Sequence, residues 1–221
     1  MSVGPLAILV SMPTLLDRWK DLLAGLHVAG PSATAVGERL IARWQESHRH
    51  YHSVTHLIAC LDQLHAWHQH AQQAHHIALA VWFHDAIYNP QASDNEAASA
   101  QLLSDSNRAL GLHTAIIDRC AELIIATDHR QVVADSDHDA QLLVDIDLAI
   151  LGTDPDIYDA YATAVRREYD FVPDDSYRTG RSQVLRTFLA REDIYTSPPA
   201  RALEQGARCN LQRELEALQT G

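Results

Sequence analysis

Apolar residues recur along most of the chain at the three- and four-residue spacing of one helix face. Leu57, Cys60 and Leu64 follow this spacing, and Leu142 and Ile146 repeat it later. No stretch alternates with period two, and no hairpin dipeptide separates two apolar runs. We therefore predict an all-α fold, a compact multi-helix bundle. Its helices are expected at about 13–23, 32–44, 53–67, 75–85, from 93 onward, and at 113–127, 138–151, 154–169, 177–191 and 199–218.

The fourth predicted helix contains the longest apolar run, from Ile77 to Phe83, and should therefore lie in the middle of the core. This run is far shorter than the roughly 20 apolar residues that a membrane helix needs. The N-terminal segment has no positively charged region followed by a small-residue cleavage site, so no secretory signal is predicted. With 221 residues, we expect a single domain over 1–221 and a cytoplasmic protein.

The charge balance restricts the partners. Aspartate and glutamate number 29 against 17 lysines and arginines, which gives a net charge of -12. Such a surface repels nucleic acid polymers and anionic membranes, so neither is expected as a partner. The three cysteines are widely spaced and never form a CxxC pair, which excludes a disulfide framework or a thiolate zinc site.

Histidines are concentrated in one part of the chain, since ten of the fourteen lie between His48 and His84. The pair His84-Asp85 directly follows the apolar run of the predicted central helix. An ionised carboxylate in a dry core needs a charged partner or a metal ion. A His-Asp hydrogen bond without function explains the pair equally well, so other helices must decide.

Two other predicted helices place acids or imidazoles toward the same core. His52 and His56 are four residues apart and share one helix face if that segment is helical. In the helix at 138–151, a rotation of 100° per residue puts Asp147 about 55° from the centre of the apolar face. Asp145 lies about 145° from that centre on the same basis, so we expect Asp147 to point inward and Asp145 to point away.

Two imidazoles and two carboxylates on facing helices suit a hard or borderline divalent cation such as Mn²⁺, Mg²⁺, Fe²⁺ or Ni²⁺. Water in the remaining coordination positions of such an ion can become hydroxide near neutral pH, and the ion can polarise a phosphoryl oxygen. A divalent metal cofactor, with one or two ions, is therefore predicted.

The order His56, His84-Asp85, Asp147 resembles the H…HD…D signature of the HD-domain metal-dependent phosphohydrolases. The segments HYHSVTHL, WFHDAIYNP and DIDLAILG are similar to a little-characterised bacterial branch of predicted HD phosphohydrolases. The resemblance extends from about 43 to 218. It implies an HD-type helical bundle with a metal-site core at about 43–152 and C-terminal helices at about 153–218 packing on it.

The resemblance also implies roles for individual residues. His56, His84, Asp85 and Asp147 would be the metal ligands, and Asp85 would also help to orient the attacking hydroxide. The segment YHSVTH is similar to the YHNxxH segment of cyclic nucleotide phosphodiesterases, which implies that His52 protonates the leaving oxygen.

The function implied is that of a metal-dependent phosphohydrolase, which uses a metal-activated hydroxide on a small phosphate mono- or diester. A nucleotide is one candidate for that small phosphorylated substrate. Two alternatives remain open at this point: a di-iron oxygenase-like HD protein, and a module that binds a metal or nucleotide without catalysis.

Three further residues are candidates for a second metal or for the substrate. Glu96 lies where some HD enzymes have another ligand, although a capping box with Ser93 explains it as well. His129 lies in the region of the additional histidine of two-metal HD proteins, but it can also interact with a helix C-terminus. Arg181 is the best candidate for a phosphate contact, while most arginines of this region should pair with surface acids.

Overall fold

The computed structural model describes residues 13–220, and this part of the chain contains α-helices, 3₁₀-helices and no strands. The predicted all-α, multi-helix fold is therefore confirmed. The α-helices are α1 (Leu15–Gly25), α2 (Pro31–Trp44), α3 (Val54–Trp67), α4 (Ala74–Phe83), α5 (Asn95–Leu110), α6 (Thr114–Ala126), α7 (His138–Asp147), α8 (Pro155–Glu168), α9 (Asp174–Leu189) and α10 (Glu204–Thr220). The 3₁₀-helices are His68–His70, Leu148–Gly152 and Pro198–Leu203.

Helix α4 lies in the centre of the larger apolar cluster, as its sequence predicts. Residues on all sides of this helix are buried, and the Trp82 and Phe83 side chains are inaccessible to solvent. Trp19 of α1 packs edge-on against Trp82, with ring centroids 5.2 Å apart. The Nε1–H of Trp44 donates a hydrogen bond to the Trp82 carbonyl, so the end of α4 is fixed by α2. This cluster includes buried residues from α1 to α7.

A second apolar cluster is formed after residue 147. It contains Leu148 and Leu151, Tyr158 of α8, Leu185 of α9 and Leu211 of α10, all of them buried. The 3₁₀-helix Leu148–Gly152, which continues directly from α7, packs against α10. The chain segment that follows Asp147 therefore links the two clusters.

The predicted capping box at the start of α5 is wrong. Helix α5 begins at Asn95, and the Asp94 side chain at its N-cap makes no capping hydrogen bond. Ser93 is therefore one residue too early to cap, and Glu96 is the second helical residue rather than the third. The Asn95 side chain instead exchanges two hydrogen bonds with the Asn89 backbone. Helix capping therefore does not explain the presence of Glu96.

The first two helices also begin differently from each other. Thr14 and Asp17 form a reciprocal capping box at the start of α1. Helix α2 starts at Pro31 after Gly30, and no side chain caps it, because Ser32 is already inside the helix.

None of the helices within 13–220 has the length and apolar character needed to cross a bilayer. The N-terminal segment on which the secretory-signal prediction rests lies outside the described residues. Localisation in the cytoplasm stays a prediction.

Candidate metal centre

Four of the predicted ligands lie at the ends of three helices that meet in the first cluster. His56 is in the first turn of α3, where Ser53 precedes the helix. His84 is the C-cap of α4 and Asp85 follows it, while Asp147 is the last residue of α7. The ends of the three helices thus bring side chains from different directions to one point.

The ligand atoms of these four residues are close together. The Nε2 atoms of His56 and His84 are 3.2 Å apart. An Oδ1 of Asp147 lies 3.0 Å from His56 Nε2 and 3.5 Å from His84 Nε2. An Oδ2 of Asp85 lies 3.3 Å from His84 Nε2 and 3.8 Å from His56 Nε2. Donors that each lie about 2.1 Å from one ion are separated by roughly 3.0–3.4 Å. The spacings of 3.0, 3.2 and 3.3 Å fit a shared ion, while those of 3.5 and 3.8 Å are slightly longer.

The His84 ring is held in the orientation that a ligand needs. Its Nδ1–H donates a hydrogen bond to the Val81 carbonyl oxygen at 2.9 Å, so Nε2 is the nitrogen that faces the cluster and becomes a metal donor when it gives up its proton. The Trp44 ring packs beside it with centroids 5.5 Å apart. The orientation is therefore set by backbone and packing before any ion binds.

The electrostatics of the cluster favour a positive partner. Burial lowers the pKa of His84, but the carboxylates of Asp85 and Asp147 outweigh this effect and raise that pKa to about 9. Burial raises the pKa of Asp147, yet hydrogen bonds from His129, His56 and His84 hold it well below its usual value. Both shifts reflect buried negative charge that requires a cation or protons nearby.

Among the described residues, His56, Cys60, His84 and Asp147 form a group whose ligand atoms all lie within 4.8 Å of one another. The group is buried and can hold a metal ion. Sequence reasoning assigned Cys60 to the core alone. Its Sγ is 3.6 Å from Nε2 and 3.7 Å from Nδ1 of His56, so the sulfur lies along neither nitrogen's lone pair and packs on the ring.

Asp145 is the clearest error of the helical-face argument. It was expected to point away from the core, yet it is 1% exposed. Its Oδ2 accepts hydrogen bonds from the backbone N–H groups of Thr196 and Ser197, at 3.0 and 2.6 Å. The face of α7 opposite the first cluster is thus covered by the C-terminal part of the chain, and Asp145 fastens that part in place.

His52 is held by a carboxylate that sequence reasoning did not identify as functional. Glu168, the last residue of α8, is buried, and its Oε2 lies 2.7 Å from His52 Nδ1. Its Oε1 accepts the backbone N–H groups of His50, Tyr51 and His52, at 2.7, 2.7 and 2.9 Å. The Tyr88 hydroxyl also donates to Oε2, at 2.9 Å.

These five hydrogen bonds fix the charge of Glu168 and the tautomer of His52. Burial alone would raise the pKa of Glu168, but the bonds from His52 and from the backbone lower it to about 2. The ionised carboxylate accepts the proton of His52 Nδ1, which leaves Nε2 for the cavity that His52 lines. Burial lowers the pKa of His52, and the bond to Glu168 and the charge of Asp85 raise it on balance.

Arg49 connects the segment of His52 to the segment of His84 and Asp85. It is 5% exposed, and its Nη1 donates to the carbonyls of His52 and Asp85, at 3.0 and 2.7 Å. Its Nη2 donates to the Ala86 carbonyl at 3.2 Å. Sequence motifs did not indicate a role for Arg49. These partners are backbone carbonyls, two of them more than thirty residues away, and a local sequence pattern contains no information about such contacts.

The three second-rank candidates have different surroundings. His129, just after α6, places Nε2 3.4 Å from Asp147 Oδ2, so it contacts the cluster. Glu96 and Arg181 line the same cavity as His52, Asp85 and Asp147. Arg181, the candidate for a phosphate contact, is paired with Glu214 through two hydrogen bonds of 2.8 and 3.0 Å.

The other histidines of the histidine-rich segment between His48 and His84 lie away from the metal centre. His65, His68, His70 and His75 are exposed and His76 is partly buried, as expected for edge residues. His48 binds the Tyr88 carbonyl through Nε2 at 3.0 Å.

Comparison of the chain with protein-family models, with curated proteins and with solved structures finds no match. The motifs that resemble HD-domain phosphohydrolases are therefore not tested by any relative. A function can therefore be inferred only from the geometry and chemistry of the site residues.

Proposed function

We propose that this protein is an HD-type, metal-dependent phosphohydrolase that acts on a small phosphate mono- or diester. The observation that carries the proposal is the convergence of His56, His84, Asp85 and Asp147, which are far apart in sequence, beside a cavity of about 630 Å³. A bound divalent ion would lower the pKa of a coordinated water and polarise a phosphoryl oxygen.

The ligand set that we propose contains Asp85 in preference to Cys60. The Asp85 carboxylate lines the cavity, whereas Cys60 is 2% exposed and packs on the His56 ring. Burial and the charges of Asp147 and Asp85 raise the pKa of the Cys60 thiol well above its ordinary value, so the sulfur is neutral in the metal-free protein. Oxygen and imidazole donors suit Mn²⁺, Mg²⁺ or Fe²⁺, which bind phosphoryl oxygens well.

In this reaction His52 would hold the proton that the leaving oxygen needs. Glu168 holds the His52 ring through Nδ1. The Nε2 atom of the protonated ring can therefore donate its proton into the cavity. Asp85 would accept a hydrogen bond from the attacking water and orient it. Arg49 keeps both segments in register through its bonds to the carbonyls of His52 and Asp85.

The proposal is tested by metal analysis of the purified protein and a screen of phosphomonoesters and phosphodiesters with added Mn²⁺. We expect Mn²⁺-dependent phosphate or alcohol release, and its loss in Asp85→Ala with an unchanged circular dichroism spectrum. Asp118→Ala, which changes an exposed aspartate of α6, is the matched control and should keep full activity. A metal-loaded protein without turnover over the whole screen would contradict the proposal.

One observation favours a second candidate, an oxygenase with two irons. His129 Nε2 lies 3.4 Å from Asp147 Oδ2, so the same carboxylate faces imidazoles on both of its oxygens, as a bridging ligand would. Glu96 lines the cavity on this side and has no capping role. Two irons per chain after anaerobic loading would favour this candidate, and one metal ion or none would exclude it.

A further inference from the structure

The cavity that begins at the metal centre has a second end, which the C-terminal helices build. Its volume of about 630 Å³ is within the range that encloses whole small organic molecules and exceeds what one phosphoryl group needs. The wall at this end contains Tyr177 and Val184 of α9 and Tyr169 between α8 and α9. Tyr161 of α8 and Phe188 of α9 also line the cavity but lie nearer the metal centre, where their rings pack on Tyr51 and His129 with centroids 4.6 and 5.7 Å apart. An organic group of the ligand would lie among the side chains at the far end.

Two of the tyrosines that line the cavity, Tyr161 and Tyr88, have hydroxyl groups that are already hydrogen-bonded. The Tyr161 hydroxyl accepts a hydrogen bond from Arg181 Nη2 at 3.2 Å. The Tyr88 hydroxyl is bound to Glu168. Rings that line the cavity already pack edge to face, since the Tyr51 and Tyr161 centroids are 4.6 Å apart at an interplanar angle of 73°. Another ring that enters such a wall gains the same type of contact.

The cavity beyond the metal centre carries no excess of positive charge, because its arginines are paired with acids and Glu96 adds a further carboxylate. Two arginines line it among the residues that the structure describes, and each is paired with an acid. Arg181 is bound to Glu214 through two hydrogen bonds, and its side chain is 9% exposed. Arg130 is bound to Asp128 through Nε at 2.7 Å and Nη2 at 3.1 Å. Neither of these two guanidinium groups is therefore free to bind a second phosphoryl or carboxylate group.

We propose that the far end of the cavity binds a flat, uncharged aromatic group. In the proposed phosphohydrolase reaction, on which this substrate class rests, that group is the alcohol part of a phosphate monoester with a single phosphoryl group. Water adds to phosphorus and the ester P–O bond breaks. The aromatic alcohol leaves with one proton from His52, and inorganic phosphate forms. Polyphosphates and phosphorylated polyols fit the wall less well, because they bring charge or hydroxyl groups to ring surfaces.

Binding of the organic part is tested without catalysis. Equilibrium dialysis of 1-naphthol against the metal-free protein should show binding, which Tyr177→Leu weakens by about five- to tenfold, since stacking contacts have about this size. Tyr177→Phe keeps the ring and is the matched control, so it should stay within about twofold of the native protein. Circular dichroism establishes that both variants fold. No binding of 1-naphthol, or equal binding by all three proteins, would overturn the inference.

A second measurement uses the Mn²⁺-loaded protein. The kcat/KM for 1-naphthyl phosphate should exceed that for glycerol 3-phosphate by about tenfold or more, and Tyr177→Leu should reduce this ratio. A ratio near one would overturn the substrate class. If 1-naphthol binds in the expected manner but neither ester is hydrolysed, the aromatic site is supported and the proposed phosphohydrolase function fails.

Discussion

The two apolar clusters contribute different things to the same cavity. The first cluster, around α4, positions every proposed metal donor: His56, His84, Asp85 and Asp147. The C-terminal region contributes none of these donors, but it supplies Glu168, which orients His52, and the aromatic far wall. In the proposed function, the metal donors therefore come from one part of the chain, while the orientation of His52 and the binding of the organic group depend on the other.

The largest expected effect tests the donor side of this comparison. His56→Ala removes an imidazole whose Nε2 is within 3.8 Å of three other candidate ligand residues. We expect Mn²⁺ affinity to fall by more than about 100-fold, measured by isothermal titration calorimetry, because an ion loses a ligand outright. His65→Ala, an exposed histidine of the same helix, should bind Mn²⁺ like the native protein. Equal Mn²⁺ affinities of the two variants would show that the ion binds elsewhere.

The second prediction separates the C-terminal contribution from metal binding. Glu168→Gln keeps a carbonyl oxygen for the three backbone N–H groups but turns an amide NH₂ toward His52 Nδ1. The imidazole then loses its fixed tautomer, and we expect kcat to fall by about 100-fold or more while the metal content stays unchanged.

The control for this variant is Glu204→Gln. Glu204 also accepts backbone N–H groups in the C-terminal region, those of Ile194 and Tyr195, but it contacts no imidazole of the site. Its kcat should equal that of the native protein. Nitrogen chemical shifts of the His52 ring give a readout apart from activity, and unchanged shifts in Glu168→Gln would refute the positioning role.

Helical periodicity predicted the positions of His84, Asp85 and Asp147 well, because it depends only on residues that are close in sequence. The apolar run of α4 placed His84-Asp85 at a buried helix end, and the face of α7 placed Asp147 inward. The same periodicity failed for Asp145, since it assumes that one face of a helix meets solvent. That face is covered by a segment whose amides lie 51 and 52 residues later in the chain.

The parts of the site that the sequence did not predict depend on long-range partners. Glu168 ends an ordinary amphipathic helix, and nothing nearby in sequence indicates that it binds backbone groups 116 to 118 residues earlier. Arg49 is similarly defined by carbonyls at Asp85 and Ala86. From sequence alone, a buried carboxylate or guanidinium cannot be distinguished from a surface charge, because its partners are known only from the fold.

The third prediction concerns the junction between the two clusters. A Cβ added at Gly152 would lie 2.6 Å from the Leu203 Cβ and 2.7 Å from the Leu203 carbonyl oxygen. Gly152→Ala must therefore push backbone apart, and we expect a loss of about 2 kcal/mol in the free energy of unfolding. Gly180→Ala, at a position where an added Cβ meets nothing within 4 Å, is the control and should not destabilise. Urea denaturation of both variants measures the difference, and equal midpoints would show that the junction tolerates a looser fit.

The smallest expected effect lies within the first cluster and depends on pH. Asp137 caps α7 by accepting the Ala140 N–H, and it pairs with Arg119 of α6, with Nη1 2.8 Å from Oδ2. The hydrogen bond from Arg119 outweighs partial burial and lowers the pKa of Asp137 below its usual value. Because the folded pKa lies below the unfolded pKa of about 3.9, the pair stabilises the protein above that value and loses this contribution as pH falls through the folded pKa.

Asp137→Asn can still accept the capping bond through Oδ1, so it removes the charge and the hydrogen bond from Arg119 Nη1 to Oδ2. The pair is partly exposed and screened by solvent, so we expect a loss of less than about 1 kcal/mol at pH 7, and the loss should shrink as pH falls below about 3.9 toward the folded pKa. Urea denaturation of both proteins at pH 7, 5 and 3 measures this convergence. A difference that stayed constant with pH would assign the effect to packing or capping. A difference that grew toward low pH would mean that the aspartate is held in its neutral form, which the position of Arg119 argues against.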